Sequence, residues 1–285
     1  MANQLLLATD LSARCDRAMD RAIQLARQWQ AKLDVVSVVE GSVAPDQLLG
    51  RLVSAESAPE EEVMARALER EFADVDVIGR MHIARGEPTD AIARQAKNSN
   101  ADLIVTGMAR NETFGRFLLG TTVESLSRHA SQPLLVVRKR VNGAYQRIVV
   151  STDFSEASRQ ALVRTVELFP EQEINLYHVF SLPMAGLGGV EAEQKMAEQI
   201  QNEDAVEFLN NSGLTAEQRR WIRVVVEVGS LESQMARYVR SQDTQLVVMG
   251  SHGRTGLLNM LIGSAAARML EWLPCDSLIV RQAKA

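Results

Sequence analysis

The chain carries one unit written twice, and that repetition limits its fold more than any other feature. "LLLATDLS" at residues 5–12 returns as "IVVSTDFS" at 148–155. "GEPTDAIARQAKNSNADLIVTG" at 86–107 returns as "GSLESQMARYVRSQDTQLVVMG" at 229–250, and "LLVVR" at 134–138 as "SLIVR" at 277–281. All three pairs share one offset of 143 residues. Solenoid repeats run to about 20–50 residues, so units of this size are whole domains in tandem. The polar stretch "KRVNGAYQ" at 139–146, with its Asn142-Gly143 turn signal, reads as the linker. We therefore expect two domains, 1–142 and 143–285.

Within each copy, short apolar runs alternate with helical patterns. Candidate buried strands of the first copy fall near 5–8, 35–39, 75–84, 103–106 and 134–137. Cys15, Ala18, Met19, Ala22, Leu25, Ala26 and Trp29 keep helical spacing, and Ser12 is placed to cap that helix. Further helices are expected near 59–72, with Val63, Ala67 and Phe72 on one side, from Pro88 onward, and near 122–129. The second copy repeats the strands near 148–151, 174–179, 223–227, 246–249 and 278–280. Strands alternating with helices predict an α/β fold: two tandem doubly wound domains, each a roughly five-stranded parallel sheet with helices on both faces.

Composition narrows the function classes. The net charge of -5 argues against a general nucleic-acid binder, which usually carries a basic face, and leaves a local basic patch open. No apolar run approaches the ~20 residues of a membrane span, and the start "MANQLLLATDLS" lacks the basic and long apolar regions of a secretion signal, so a cytoplasmic protein is expected. The cysteines, Cys15 and Cys275, have no disulfide or metal spacing and are expected as small buried residues. His82, His129, His178 and His252 are scattered without a metal-binding pattern, so no metal site is expected; His178 should pack or pair with backbone. The glycine-rich segment "PMAGLGGVEAEQK" at 183–195 is placed where a lid would lie, or is simply a loop.

Ligands of doubly wound sheets bind beyond the carboxyl ends of the strands, where strand order reverses. That points to Asp10 and Asp153 after each first strand, and to the glycines after each fourth. In the second copy these read Gly250-x2-Gly253-x9-Gly263-Ser264. Glycine lets successive backbone N–H groups turn inward around an anion, and a helix N-terminus adds more donors and a partial positive charge. Arg254 adds a fixed charge to the loop, and Ser264 a hydroxyl. The lysine of a Walker A loop is missing, and the dinucleotide G-x-G-x-x-G belongs after a first strand. From spacing alone, a phosphate cradle and a tight packing turn both stay open. Neither copy shows a nucleophile elbow.

With "STDFSEAS" at 151–158, "YHVF" at 177–180 and the complete glycine pattern, the chain resembles a tandem universal stress protein over nearly its whole length. The resemblance implies a stress-response regulatory protein that binds ATP, with or without Mg²⁺, or ADP or AMP, and signals through protein partners. It implies that Asp153 faces the nucleoside, that the Val179 backbone recognises adenine, and that Gly250, Gly253, Gly263, Ser264 and the Ala265 amide hold phosphates; Thr152 and Arg254 are further nucleotide-binding candidates. The first copy keeps Asp10, Gly107, Gly120 and Thr121 but has Arg110 at the loop's second glycine, which suggests a degenerate site. A slow ATPase and a nucleotide-independent scaffold remain as alternatives; no catalytic base is evident. The resemblance also implies pairing of strands 134–137 and 278–280 into a pseudo-dimer within the chain, and a homodimer of chains.

Overall fold

The computed structural model describes residues 2–39, 59–108, 111–113, 116–118, 121–181, 189–251 and 264–281. Its first half runs β1 (Gln4–Ala8), α1 (Asp16–Trp29), β2 (Lys32–Val39), α2 (Glu60–Glu71), β3 (Ile78–Arg85), α3 (Pro88–Asn98) and β4 (Leu103–Gly107). A hairpin of β5 (Asn111–Thr113) and β6 (Arg116–Leu118) follows, then α4 (Thr121–His129) and β7 (Leu134–Val137). The second half opens with β8 (Ile148–Ser151), α5 (Glu156–Leu168), β9 (Ile174–Phe180) and α6 (Gly189–Gln199). A π-helical turn at Ile200–Asp204 leads into α7 (Ala205–Asn210), α8 (Ala216–Arg219), β10 (Ile222–Val228) and α9 (Leu231–Ser241). β11 (Leu246–Gly250), α10 (Ser264–Trp272) and β12 (Asp276–Val280) complete it.

Ten strands form one sheet in the order β10-β9-β8-β11-β12-β7-β4-β1-β2-β3. Every neighbouring pair is parallel except β12 with β7. Each half is thus the doubly wound five-stranded sheet that the alternating pattern predicts. Strand side chains alternate between two helical layers. Leu5, Leu7, Leu33 and Val35 pack with α1, while Ile148, Val150, Val248 and Leu278 lie in the same layer with α5. Leu6, Ala8, Ile104, Val149, Val247 and Ile279 face the other layer, where α3, α4, α9 and α10 bury residues such as Ile92, Leu126, Met235 and Leu270. Both cores run unbroken from one half into the other.

The antiparallel seam pairs Ser277 with Val136, Leu278 with Leu135 and Ile279 with Leu134. At its margin the Asp276 side chain is fully buried. Its Oδ1 accepts the backbone amides of Arg138 (2.7 Å) and Lys139 (2.9 Å), and its Oδ2 accepts the Tyr145 hydroxyl at 2.6 Å. The Arg21 Nε lies 3.7 Å from Oδ2, and its guanidinium stacks 4.0 Å over the Tyr145 ring. Burial and the Asp276 charge hold the Tyr145 phenol well above its ordinary pKa, so it remains a donor. Arg138 hydrogen-bonds the carbonyls of Leu270 and Leu273, and burial lowers its pKa to about 10, still charged at neutrality. Phe169 closes the cluster against Trp29 and Tyr145 at 5.6 and 5.7 Å.

Four local expectations are corrected. Ser12 does not cap α1: the helix begins at Asp16 with Cys15 as N-cap and no side-chain cap, because the Ser12 carbonyl closes a preceding turn with the Cys15 amide at 2.7 Å. Cys15 is half-buried and hydrogen-bonds Asp10, whereas Cys275 is the buried apolar residue expected. The buried pair is Leu68 on α2 and Phe72 just past its end, while Val63 is 57% exposed. The linker is not wholly polar in role, since Tyr145 is among the most buried residues.

Removing a buried charge's partner leaves the rest uncompensated. We expect Asp276→Ala to cost about 3–5 kcal/mol, and Tyr145→Phe about 1.5–3 kcal/mol as the loss of one hydrogen bond to a charged group. Urea unfolding of the full chain checks both; equal, negligible losses would contradict the arrangement.

Candidate functional site

Strand order reverses at β8, which has β9 on one side and β11 on the other. The register Val150 to Val248 sets Gly250 level with Thr152 just past the carboxyl end of β8. Here "STDFS" is used residue by residue. The Thr152 amide donates to the Tyr177 carbonyl at 2.9 Å, tying the loop to β9. Thr152 Oγ1 accepts the Phe154 amide at 2.9 Å and shares a hydrogen bond with Ser158 Oγ at 3.0 Å. Asp153 Oδ1 accepts the Ser155 amide at 3.1 Å, and Ser155 Oγ caps α5 at the Ser158 amide, 3.3 Å. Phe154 sits at φ +59°, a conformation bulky residues avoid. It is held there by stacking on His178 at 4.6 Å and by an edge contact with Phe208 at 5.4 Å. His178 Nδ1 bonds the Thr152 carbonyl at 2.8 Å, so this histidine pairs with backbone as expected.

Val179 is half-buried near the carboxyl end of β9. In a parallel ladder alternate residues direct their peptide groups to alternate neighbours. Tyr177 directs its carbonyl to Thr152 on the β8 side, and Phe180 directs its own to Gly229 on the β10 side. Val179, two residues beyond Tyr177, therefore presents its peptide groups above the end of β8, over the Asp153 loop. The register of β8 with β9 thus sets position 153 level with Val179.

Gly250 has a local reason to be glycine. A Cβ there would come within 2.8 Å of the Ala157 backbone in the first turn of α5. Gly107 is in the same position in the first half, with the Arg14 carbonyl 2.9 Å from a would-be Cβ. Both glycines let a helix N-terminus approach the end of a strand. Ser264 opens α10, with Ala265 in its first turn, and α10 runs back to β12, which leaves its N-terminal amides at the same sheet edge as Asp153. Gly253, Arg254 and Gly263 lie outside the described residues, as do His252, Arg110, Gly120 and 182–188 of the glycine-rich segment.

The first half repeats the turn with different neighbours. Leu11 takes φ +54°, its amide donates to Thr9 Oγ1 at 3.0 Å, and the Ser12 amide donates to Asp10 Oδ1 at 2.9 Å. The Asp10 carboxylate also accepts the Cys15 thiol at 3.2 Å and lies 3.7 Å from Arg14. Partial burial pushes the Asp10 pKa up, but the Ser12 hydrogen bonds, the thiol and Arg14 together bring it below the usual carboxylate range. Burial and the Asp10 carboxylate raise the Cys15 pKa. Thr121 opens α4, as Ser264 opens α10.

These features meet known proteins along the whole chain. The model of the "Universal stress protein family" matches residues 1–138 and again 144–281. The chain belongs to the universal stress protein family. A universal stress protein of Mycolicibacterium smegmatis is 26% identical over 97% of this chain and 96% of its own length. One of Methanocaldococcus jannaschii is 26% identical over 49% of this chain and 84% of its own. A crystal structure of a universal stress protein from Archaeoglobus fulgidus shares the fold at TM-score 0.67 and 18% identity, covering 99% of both chains. A putative universal stress protein from Pseudomonas aeruginosa does so at 0.69 and 17%, over 98% of this chain and 93% of that one. Among the described residues of this universal stress protein, no helix is long and apolar enough to cross a membrane.

Sequence inspection missed Ser158, which locks Thr152, and the Phe154–His178 stack that fixes the turn. The Ser155-x-x-Ser158 spacing of a helix cap was the available signal for the first. Two outcomes are expected. Gly250→Ala should cost about 1–3 kcal/mol as an overpacked contact, read by urea unfolding, whether or not ligand is present. Cys15 should alkylate with iodoacetamide at pH 8 more slowly in the folded chain than in the denatured one, since its thiol is harder to ionise; equal rates would contradict its burial beside Asp10.

Proposed function

We propose that the second half binds one adenine nucleotide, ATP first among them, at the crevice between the Asp153 loop and the end of β9, and that protein partners respond to its occupancy. The observation that carries this is the β8–β9 register, which sets the Asp153 loop level with Val179 past the carboxyl end of β8. A carboxylate accepts hydroxyl hydrogen bonds from a ribose, and a peptide N–H and C=O match the edge of a purine. The N-terminus of α10 supplies amide donors on the same side, which suits phosphate. What is described of the site therefore fits a nucleotide. The described donors and acceptors are ligand-holding groups, and the proposed role is binding.

The first half is proposed to be empty. Its Asp10 carboxylate is engaged by the Ser12 amide, the Cys15 thiol and Arg14. A homodimer of chains, if it forms, has to use another surface than the β7–β12 seam, which is consumed within the chain. We propose a cytoplasmic setting, in keeping with the nucleotide.

Thermal-shift and calorimetric titrations of the full chain with ATP, ADP and AMP, each with and without Mg²⁺, test the proposal. The expected result is one nucleotide per chain and a stabilisation near about 2.7 kcal/mol at 100 times the dissociation constant. Asp153→Ala should weaken binding at least about tenfold, the loss of roughly 1.4 kcal/mol, and Asp10→Ala should leave it unchanged. A flat response to all three nucleotides would reject the proposal, and two nucleotides per chain would reject the empty first half.

A further inference from the structure

The seam between the halves has a pseudo-two-fold axis: the pair Ser277–Val136 maps onto Leu134–Ile279 when 143 is exchanged between halves. The two flanks of that axis share a framework. Arg138 on one flank hydrogen-bonds the Leu273 carbonyl, and its counterpart Arg281 donates to the Ala130 carbonyl at 3.2 Å, the residue equivalent to Leu273. Arg21 on α1 corresponds to Arg164 on α5. The flanks differ in what lies beside Arg21 and Arg164. On the first, 3.7 Å from the Arg21 Nε, is the buried Asp276 carboxylate, covered by Tyr145. The Arg138 amide also meets it, while the Arg138 guanidinium turns to the Leu270 and Leu273 carbonyls. On the second, the position equivalent to Asp276 is Pro133.

Where that carboxylate would be, a cavity of about 420 Å³ opens, lined by Pro133, Ser131, Gln132, Arg159, Arg164 and Arg281 among others. Two acids, Asp102 and Glu167, also line it and pair with Arg164: Nη1 lies 2.9 Å from Glu167, and Nη2 3.8 Å from the Asp102 carboxylate and 3.1 Å from the Asp102 carbonyl. Asp102 Oδ2 is further taken by the amides of Asn3 and Gln4 at 2.7 and 3.1 Å. Arg281 is half-buried, and among the described residues its guanidinium makes the one hydrogen bond to Ala130. Partial burial lowers its pKa. A guanidinium has five donors in a fork that matches a carboxylate.

We propose that this cavity binds a small carboxylate anion, held by Arg281 and Arg164 in the place that Asp276 occupies on the opposite flank. The protein's own filled site shows which chemistry the framework accepts. The volume suits a ligand of a few carbon atoms and excludes nothing smaller. The site is separate from the nucleotide crevice, because it is lined from the seam and the middle of α5 rather than from the Asp153 loop.

Calorimetric titration of the full chain with acetate, succinate and inorganic phosphate, each with and without ATP, tests this. The expected result is saturable binding of acetate or succinate at one site per chain, unchanged in Asp153→Ala. Arg281→Gln, which can keep the bond to Ala130, should weaken that binding at least tenfold. Pro133→Asp installs the missing carboxylate from within, and should abolish binding while raising the melting temperature. No saturable binding to the wild type, preference for phosphate over both carboxylates, or undiminished binding in either variant would overturn the proposal. Because Asp153→Ala is read separately, failure of the nucleotide site and failure of this one give different results.

Discussion

One carboxylate holds the two halves in a single body. Asp276 has no water to solvate it, so two amides, a phenol and a guanidinium have to be brought to it, and each comes from the other half or from the segment that joins them. A buried ion pair is weak evidence for stability in itself. Its consequence here is geometric. The Arg138 and Lys139 amides meet Asp276 at the margin of the antiparallel β7–β12 seam. All other strand pairs being parallel, the carboxyl ends of the first half's strands then point to one edge of the ten-stranded sheet and those of the second half to the opposite edge. The two switch-point crevices cannot share one ligand, and any communication between them has to run through the common cores on the two faces of the sheet.

The architecture was legible because its signals are periodic. Apolar runs of four to eight residues, buried on both faces, need no partner outside the pattern to be recognised, and the 143-residue offset carried each assignment across to the second copy. Pairing of the last strands came with the family resemblance. What escaped depends on contacts between distant residues. Tyr145 looked like part of a polar linker because its partner, Asp276, is 131 positions away. Ser12 had the right chemistry for a cap, but the Asp10 carboxylate is drawn to the Cys15 thiol and the helix starts later. Val63 has the spacing for the buried side of α2, yet Leu68 and Phe72 reach the core and Val63 does not. The hairpin of β5 and β6 had no alternating pattern to announce it.

The candidate site was legible in part for the same reason. "STDFS" could be placed at a strand end from its position after an apolar run, and His178 could be assigned a backbone partner. The direction of the Val179 peptide groups follows only from the parity of the ladder, which no single residue encodes. The positive φ of Phe154 and of Leu11 shows that the turn itself belongs to the fold, not to the ligand, since both copies adopt it with different side chains.

That distinction changes how the glycine motif should be weighed. Gly107 and Gly250 are both forced by the approach of a helix backbone to within 3 Å of a would-be Cβ. A glycine needed for packing is present whether or not a nucleotide binds, so the first position of the pattern says nothing about occupancy. The informative differences lie elsewhere: Arg110 against Gly253 in the loop, and the surroundings of the aspartate. Asp10 has acquired Arg14 and Cys15 as neighbours, where the second copy has Ala157 and Ser158 at the equivalent positions. Ser158 is already committed to Thr152. The two copies thus differ at the start of the helix after the turn as well as in the loop, and these two differences lie at separate positions of the sequence.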